Sequence, residues 1–292
     1  MTIELKKRPI AITGASSGIG AATALRCARA GMPVALGARR VDKLDALVAA
    51  IRAEGGQAIA LKMDVTDPAQ CRGLIEETVQ EFGSIYSVYA NAGYGIERPV
   101  HEMPDAEVRA MFEVNLFGTL NIIRPALEHM RRAPGPRRGH ILICSSCVGK
   151  MFLPYFSVYS ATKAAQSHIG RGMNLELRPE GIAVSTIHPI STRTEFFTTA
   201  ESLSANGKMI AHSPDLFTQT ADFVAKRTVA CLRRPRPEVW TGFAGHFVRF
   251  GMSVCTLVPR LPDLTLGGMV KRRVASYTRS TPDAGAAAST TG

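Results

Sequence analysis

From residue 9 to about residue 190, short runs of apolar and β-branched residues alternate with longer stretches in which apolar residues return every third or fourth position. The runs are Pro9–Thr13, Pro33–Ala38, Gln57–Met63, Ile85–Ala90, His140–Cys144 and Ile182–His188. Between them lie Gly18–Ala30, Asp42–Glu54, Pro68–Phe82, Asp105–Arg132 and Val158–Arg178, whose spacing predicts helices with one apolar face. Runs that are apolar at nearly every position predict strands buried on both faces. Strand–helix repetition with right-handed crossovers therefore predicts an α/β fold: a single doubly wound, Rossmann-like parallel sheet with helices on both faces.

Past His188 the pattern loosens. Thr192–Asp215 reads as a polar, helix-poor connection, long enough to be a substrate loop or lid. A helix at Thr218–Arg233 and a strand at Glu238–Thr241 follow. No repeat and no Gly/Ser linker divides the chain, so residues 1–240 are expected to form one catalytic domain, 241–278 a helical extension of it, and 279–292 a frayed tail.

Composition narrows the classes. With 292 residues, 46% of them hydrophobic, the chain can build a sizeable core, which argues against disorder. The net charge of +11 raises the question of an anionic partner. The basic residues, however, fall in separate short clusters: Lys6–Arg8, Arg39–Arg40, Arg131–Arg132 with Arg137–Arg138, Arg233–Arg236 and Lys271–Arg273. That scatter describes solvated faces better than a nucleic-acid stripe, so no nucleic-acid partner is expected. The six cysteines are too sparse for a disulfide scaffold and no leader-like apolar run precedes them, so free thiols in a reducing cytoplasm are expected. The longest apolar stretch, Trp240–Pro259, is broken by His246 and Arg249 and does not span a bilayer. Residues 243–273 nevertheless resemble a basic-edged amphipathic helix pair. Such a segment either covers the pocket and subunit contacts, the preferred reading, or makes peripheral contact with an anionic membrane.

The first strand runs directly into Thr13-Gly14-Ala15-Ser16-Ser17-Gly18-Ile19-Gly20, and a helix follows. Glycines are needed where a backbone turns tightly, approaches a pyrophosphate, or lets helix meet strand, and the helix start offers free N–H groups to the phosphates. Tyr159 and Lys163 stand four positions apart on one helical face, so the ammonium is placed to lower the phenol's pKa for proton transfer. Cys144-Ser145-Ser146-Cys147 is formally a C-x-x-C, but it straddles a strand end rather than opening a helix, so neither redox nor metal chemistry is expected of it.

The Gly-x-x-x-Gly-x-Gly spacing, Asn91-Ala92-Gly93 after the fourth strand, Asn115, Ser146, Tyr159 and Lys163 occur in the order and spacing of one family. Over about residues 8–240 the chain resembles the short-chain dehydrogenases/reductases, oxidoreductases that move a hydride between a nicotinamide cofactor and a carbonyl or alcohol carbon. The resemblance implies a catalytic set of Asn115, Ser146, Tyr159 and Lys163, with Asn115 helping to hold a water that passes protons to the lysine. Ser145 is the alternative to Ser146. For the dinucleotide it implies Gly14, Ser16, Ser17, Gly18, Ile19, Gly20, Asp64, Val65, Asn91, Ala92 and Gly93, together with Tyr159 and Lys163. Pro189, Thr192 and Thr194 align with the segment that contacts the nicotinamide amide, although Ile190 stands where the family usually has glycine.

Where NAD-using relatives carry an acid at the second strand's end, this chain has Ala38, followed by Arg39 and Arg40. Guanidinium groups pair with phosphate, so NADP(H) is the expected cofactor, with Arg39 on the 2′-phosphate. Tyr94, Val148, Phe152, Tyr155, Phe156, Ile190, Phe196 and Phe197 are expected near the reacting carbon and predict a lipophilic small-molecule substrate. The rival reading is an NADP-binding redox sensor without turnover. The family also implies a homodimer or homotetramer through the helices that bear Asn115 and Tyr159.

Overall fold

A computed structural model describes residues 2–203 and 218–242, with scattered positions between 249 and 268. The chain divides into two compact units, residues 1–249 and 250–292. The sheet and the candidate site lie in the first. The tail at 279–292 and most of 243–273 lie outside the described residues.

Among the described residues, seven strands form the main sheet: β1 (Ile10–Thr13), β2 (Val34–Ala38), β3 (Ala58–Lys62), β4 (Ser87–Ala90), β5 (Gly139–Cys144), β6 (Ile182–His188) and β9 (Glu238–Trp240). Their order is β3-β2-β1-β4-β5-β6-β9, and every neighbouring pair is parallel. The two-residue period of a strand divides the core. Ile10, Ile12, Val34 and Leu36 face one layer with α1 (Gly18–Arg29), α2 (Val41–Ala53) and α8 (Ala221–Arg233). Ala11, Ala35, Val88 and Ile141 face the other, with α3 (Pro68–Phe82) and α5 (Gly118–Arg132). Both faces being covered explains why the strands read as unbroken apolar runs rather than as alternation. The strand order reverses between β1 and β4, and a crevice opens beyond the carboxyl ends of strands at such a point.

Two expectations need correction. The stretch read as one helix, Asp105–Arg132, is α4 (Asp105–Phe112), a π-helical turn Glu113–Phe117, and α5. Helical periodicity continues across the insertion, so the apolar pattern hides it. The π turn accompanies Asn115, whose side chain is committed to the Tyr94 backbone, and Gly118, where a Cβ would lie 2.6 Å from Val65 Cγ2. The second concerns Thr192–Asp215. Thr192–Arg193 (β7) pairs in parallel with Gln219–Thr220 (β8), and Glu195–Leu203 forms α7. Phe197 and Ala200 of that helix pack against Phe156 and Leu153, which gives a polar-looking stretch an apolar anchor. Residues 204–217 lie outside the described residues. No helix among the described residues is long and apolar enough to cross a membrane.

Candidate active site

The turn after β1 is shaped by close contact. Gly14 and Gly18 have φ of +64° and +55°, in the left-handed region that favours glycine. A Cβ on Gly20 would lie 2.4 Å from the Gly14 carbonyl oxygen, and one on Gly14 would lie 2.8 Å from Ala92 Cα. Asn91 braces the turn from below, its amide donating to the carbonyls of Thr13 at 3.0 Å and Gly14 at 3.3 Å. Thr13, unassigned in the sequence reading beyond its place in the motif, accepts at its hydroxyl from the amides of Asn91 and Ala92. Ser17 caps α1 only through its backbone position, with no side-chain cap bond and no acid in the first turn. An uncapped positive helix end behind a glycine turn fits a phosphate ligand. Ile19 packs on the core beneath it.

The two arginines after β2 part company. The Arg39 side chain is 80% exposed, with its nearest carboxylate, Asp64, at 4.0 Å. Arg40 turns onto the glycine turn, donating to Ser16 Oγ at 3.0 Å and Ser17 Oγ at 2.7 Å, and it pairs with Glu195 at 2.7 Å. Lys43 binds the other oxygen of Glu195 at 2.5 Å. Hydrogen bonds from Lys43 and Arg40 hold the Glu195 carboxyl down at about 2. Asp64 folds into a local turn, accepting from the Thr66 amide and hydroxyl, and Val65 is buried with its carbonyl accepting from Asn121. Pro189 accepts at its carbonyl from the Cys147 amide. The Thr192 hydroxyl donates to Ile190 O at 2.8 Å and accepts from Gln219, whereas Thr194 lies over Gly18, its methyl 3.1 Å from where a Cβ would stand.

Strand β5 and helix α6 (Ser157–Leu177) supply the polar centre. Ser146 caps a single 3₁₀ turn, Cys147–Gly149, by accepting from the Val148 amide at 3.3 Å. Ser145 is directed elsewhere: it is buried, donates to the Lys163 carbonyl and shares a 2.8 Å contact with Ser167. Of the two serines, it is the Ser146 hydroxyl that lies beside the Tyr159 phenol. The neutral imidazole of His188, unassigned in the sequence reading, stacks on Trp240 and donates from Nδ1 to the Ser146 carbonyl at 3.1 Å. Burial holds that imidazole down at about 4, so it stays neutral.

The phenol and the amine do not relate as expected. Lys163 Nζ lies 5.6 Å from the Tyr159 ring centroid and donates to the Cys144 carbonyl at 2.8 Å and to Gln166 Oε1 at 2.9 Å. Burial raises the Tyr159 phenol well above its ordinary value, with Cys144 adding to the rise and the Ser146 hydroxyl opposing it. Burial also lowers the Lys163 amine to about 8, against a smaller opposing pull from Cys144. Desolvation dominates the phenol in this arrangement, and two of the amine's three hydrogens go to other oxygens. Gly93 is where the parts meet: a Cβ there would lie 2.9 Å from Asn115 Oδ1 and 3.3 Å from Lys163 Nζ. Asn115 is fully buried and its amide donates to Tyr94 O and Thr162 Oγ1.

Apolar groups surround the phenol. The Phe196 ring is 5.2 Å from the Tyr159 ring, and Phe156 meets it edge-on at 6.2 Å. Of the residues expected near the reacting carbon, Phe156 and Phe197 form a cluster with Leu153, and Tyr94 joins Ile96 and Met103. Tyr155 adopts φ +68°, a strained conformation for a tyrosine at the start of α6. Phe152 is 52% exposed, and the Ile190 side chain lies against Gly242.

A glycine-turned phosphate cradle at the switch point of a parallel sheet defines a Rossmann-like nucleotide-binding protein. The family model described as short chain dehydrogenase matches residues 8–204, and the chain belongs to that family of oxidoreductases. It is 36% identical over 197 residues to an uncharacterized oxidoreductase of Listeria innocua, covering 67% of this chain and 78% of that one. A short-chain dehydrogenase from Burkholderia cenocepacia, solved in complex with NADP, is 28% identical with a TM-score of 0.68, over 81% of this chain and 96% of that one. A family member from Burkholderia phymatum shares the fold at 23% identity and a TM-score of 0.71, over 81% of this chain and 89% of that one.

Proposed function

We propose that this chain transfers a hydride between NADP(H) and a carbonyl or alcohol carbon of a lipophilic substrate. One observation carries the reading: the Ser146 hydroxyl lies beside the Tyr159 phenol, and the Lys163 amine, 5.6 Å from the Tyr159 ring, borders Gly93 next to the glycine turn after β1. When bound, the dinucleotide supplies or accepts the hydride.

The chain's own residues divide the remaining work. The Gly14–Gly20 turn and the uncapped start of α1, with Ser16, Ser17 and Ile19, receive the pyrophosphate. Arg39, exposed and at the edge of ion-pair range from Asp64, takes the 2′-phosphate with Arg40 beside it, and Asp64 and Val65 border the adenine. Asn91, Ala92 and Gly93 shape the floor, while Pro189, Thr192 and Thr194 border the nicotinamide end. Ser146 holds the substrate oxygen. Tyr159 gives that oxygen its phenolic proton in reduction and takes it back in oxidation. Phe156 and Phe196 keep water from the exchange and favour an apolar substrate.

The test is Tyr159→Phe, assayed by NADPH absorbance against a panel of lipophilic ketones and aldehydes. Turnover on the best substrate is expected to fall by about 10²–10⁴-fold while NADPH binding, read by fluorescence, persists. Parent-like turnover by the variant overturns the proposal, and so does a parent that binds NADPH without turning over any carbonyl, the outcome a redox sensor would give.

A further inference from the structure

Helix α6 carries a buried polar stripe that the proposed chemistry does not use in full. Thr162, Lys163, Gln166 and Ser167 are buried among elements that otherwise bury apolar groups. A Gln with 1% of its surface exposed is uncommon unless its amide is fully engaged. Here it is. Gln166 Oε1 accepts from Lys163 Nζ at 2.9 Å, and Nε2 donates to the Asn115 carbonyl at 2.6 Å and to Thr119 Oγ1 at 2.7 Å. The Thr119 hydroxyl also donates to the Asn115 carbonyl, at 2.8 Å. The π turn at Glu113–Phe117 thus presents one backbone carbonyl to two side chains.

The resemblance to the family implied a water held at Asn115 and passing protons to the lysine. In this structure the carboxamide of Gln166 lies between the Asn115 carbonyl and the Lys163 amine. We propose that Gln166 is a positioning residue for the reaction: its amide spans the Asn115 carbonyl and the Lys163 amine and aims the Lys163 ammonium. An amide offers a donor on one side and an acceptor on the other, so it can bridge a carbonyl and an ammonium. The lysine's aim is then set by a covalently fixed group. This rests on the assignment of Lys163 to the reaction.

The titratable side chains that face the amine are the Cys144 thiol from β5 and the Tyr159 phenol one turn back on α6; the π turn contributes Asn115, which does not titrate. Loss of the acceptor therefore exposes the lysine to burial with less compensation.

Two substitutions separate positioning from packing. Gln166→Met keeps the volume and excludes water. Gln166→Ala opens a space lined by Asn115 O, Thr119 Oγ1 and Lys163 Nζ, three polar partners that suit one water. In cofactor-free protein the Lys163 side chain, followed by ¹³C NMR of lysine Cε, is expected to titrate near 8 in the parent, lower in Gln166→Met, and close to the parent in Gln166→Ala. In turnover, Gln166→Met is expected to lose about tenfold or more in kcat and shift its pH limb down, whereas Gln166→Ala is expected to lose less, because a water can restore part of the lysine's aim. Thermal denaturation of both variants, run alongside, reads the packing cost separately. Parent-like titration in Gln166→Met, or kcat losses that follow the loss of stability in both variants, overturns the proposal. Tyr159→Phe run alongside keeps the two readings apart. An inactive Tyr159→Phe with an unaltered Gln166→Met sinks this inference alone, whereas an active Tyr159→Phe sinks the assignment of the reaction.

Discussion

At the scale of single residues, space and charge decide. Gly20 has no room for a methyl group, because the nearest atom is a backbone oxygen that cannot rotate away. Gly20→Ala should displace the turn and abolish the stabilisation that NADP gives the parent, about 2.7 kcal/mol at a hundredfold excess over Kd. Thermal shift with and without the dinucleotide reads this directly. Arg39 and Arg40 looked equivalent in sequence, but Arg40 is spent on Ser16, Ser17 and Glu195 while Arg39 is open. Arg39→Ala should therefore lower the preference for NADP over NAD by about tenfold to a hundredfold in kcat/KM, the range of a charge-assisted hydrogen bond. An unchanged ratio would remove Arg39 from the 2′-phosphate.

At the scale of elements, α7 is tied to the corner after β2 by one carboxylate. Glu195 opens that helix and meets both Arg40 and Lys43, so the segment beside the phenol is fastened to the phosphate end of the cleft. Exposed ion pairs of this kind contribute little to global stability, but they hold local position. Glu195→Gln should speed amide hydrogen exchange across Glu195–Leu203 while leaving α6 as slow as in the parent. Equal rates in α7 would mean that the Phe156 cluster alone holds it. Helix α6 shows the complementary case, a long element that places both apolar and polar groups against the sheet because Ser145, Cys144 and Asn115 supply partners.

At the scale of the whole molecule, buried imidazole makes stability depend on pH. His140, on β5, is fully buried within 2.8 Å of Ser185 on β6, and burial pushes its pKa from about 6.5 down to about 3. The unfolded chain therefore binds more protons between those two values. The contribution is complete above pH 6.5 and is lost as pH falls toward 3, at about 1.4 kcal/mol per pH unit. Between pH 7 and pH 5 a parent unfolded in urea should lose about 2 kcal/mol more than His140→Gln does; identical losses would show that His140 is not buried neutral. The π turn and α6 also keep apolar groups in the open, with Phe117 45% and Leu175 67% exposed. Exposed apolar groups there suit the homodimer or homotetramer that the family resemblance implies, which we propose for this chain. Light scattering should show an oligomer that Leu175→Glu weakens.

Read alone, the amino-acid order determined the parallel sheet, because strands buried on both faces leave unbroken apolar runs, and it located the tight turn after β1, because left-handed and crowded positions there call for glycine. The Tyr159–Lys163 spacing was legible for the same local reason. Hidden from it was everything that depends on which groups meet across the fold. The π turn is silent in periodicity, and α7 owes its helix to contacts with Phe156 and Leu153. Ser145 and Ser146 differ only in which way a strand end points them. The aim of Lys163 is likewise tertiary, since its partners Cys144 and Gln166 come from β5 and from the next turn of its own helix, and Gln166 is held in turn by Asn115. Local sequence sets backbone geometry and burial pattern, whereas a buried polar atom's partner is chosen by whatever the packed elements bring within reach.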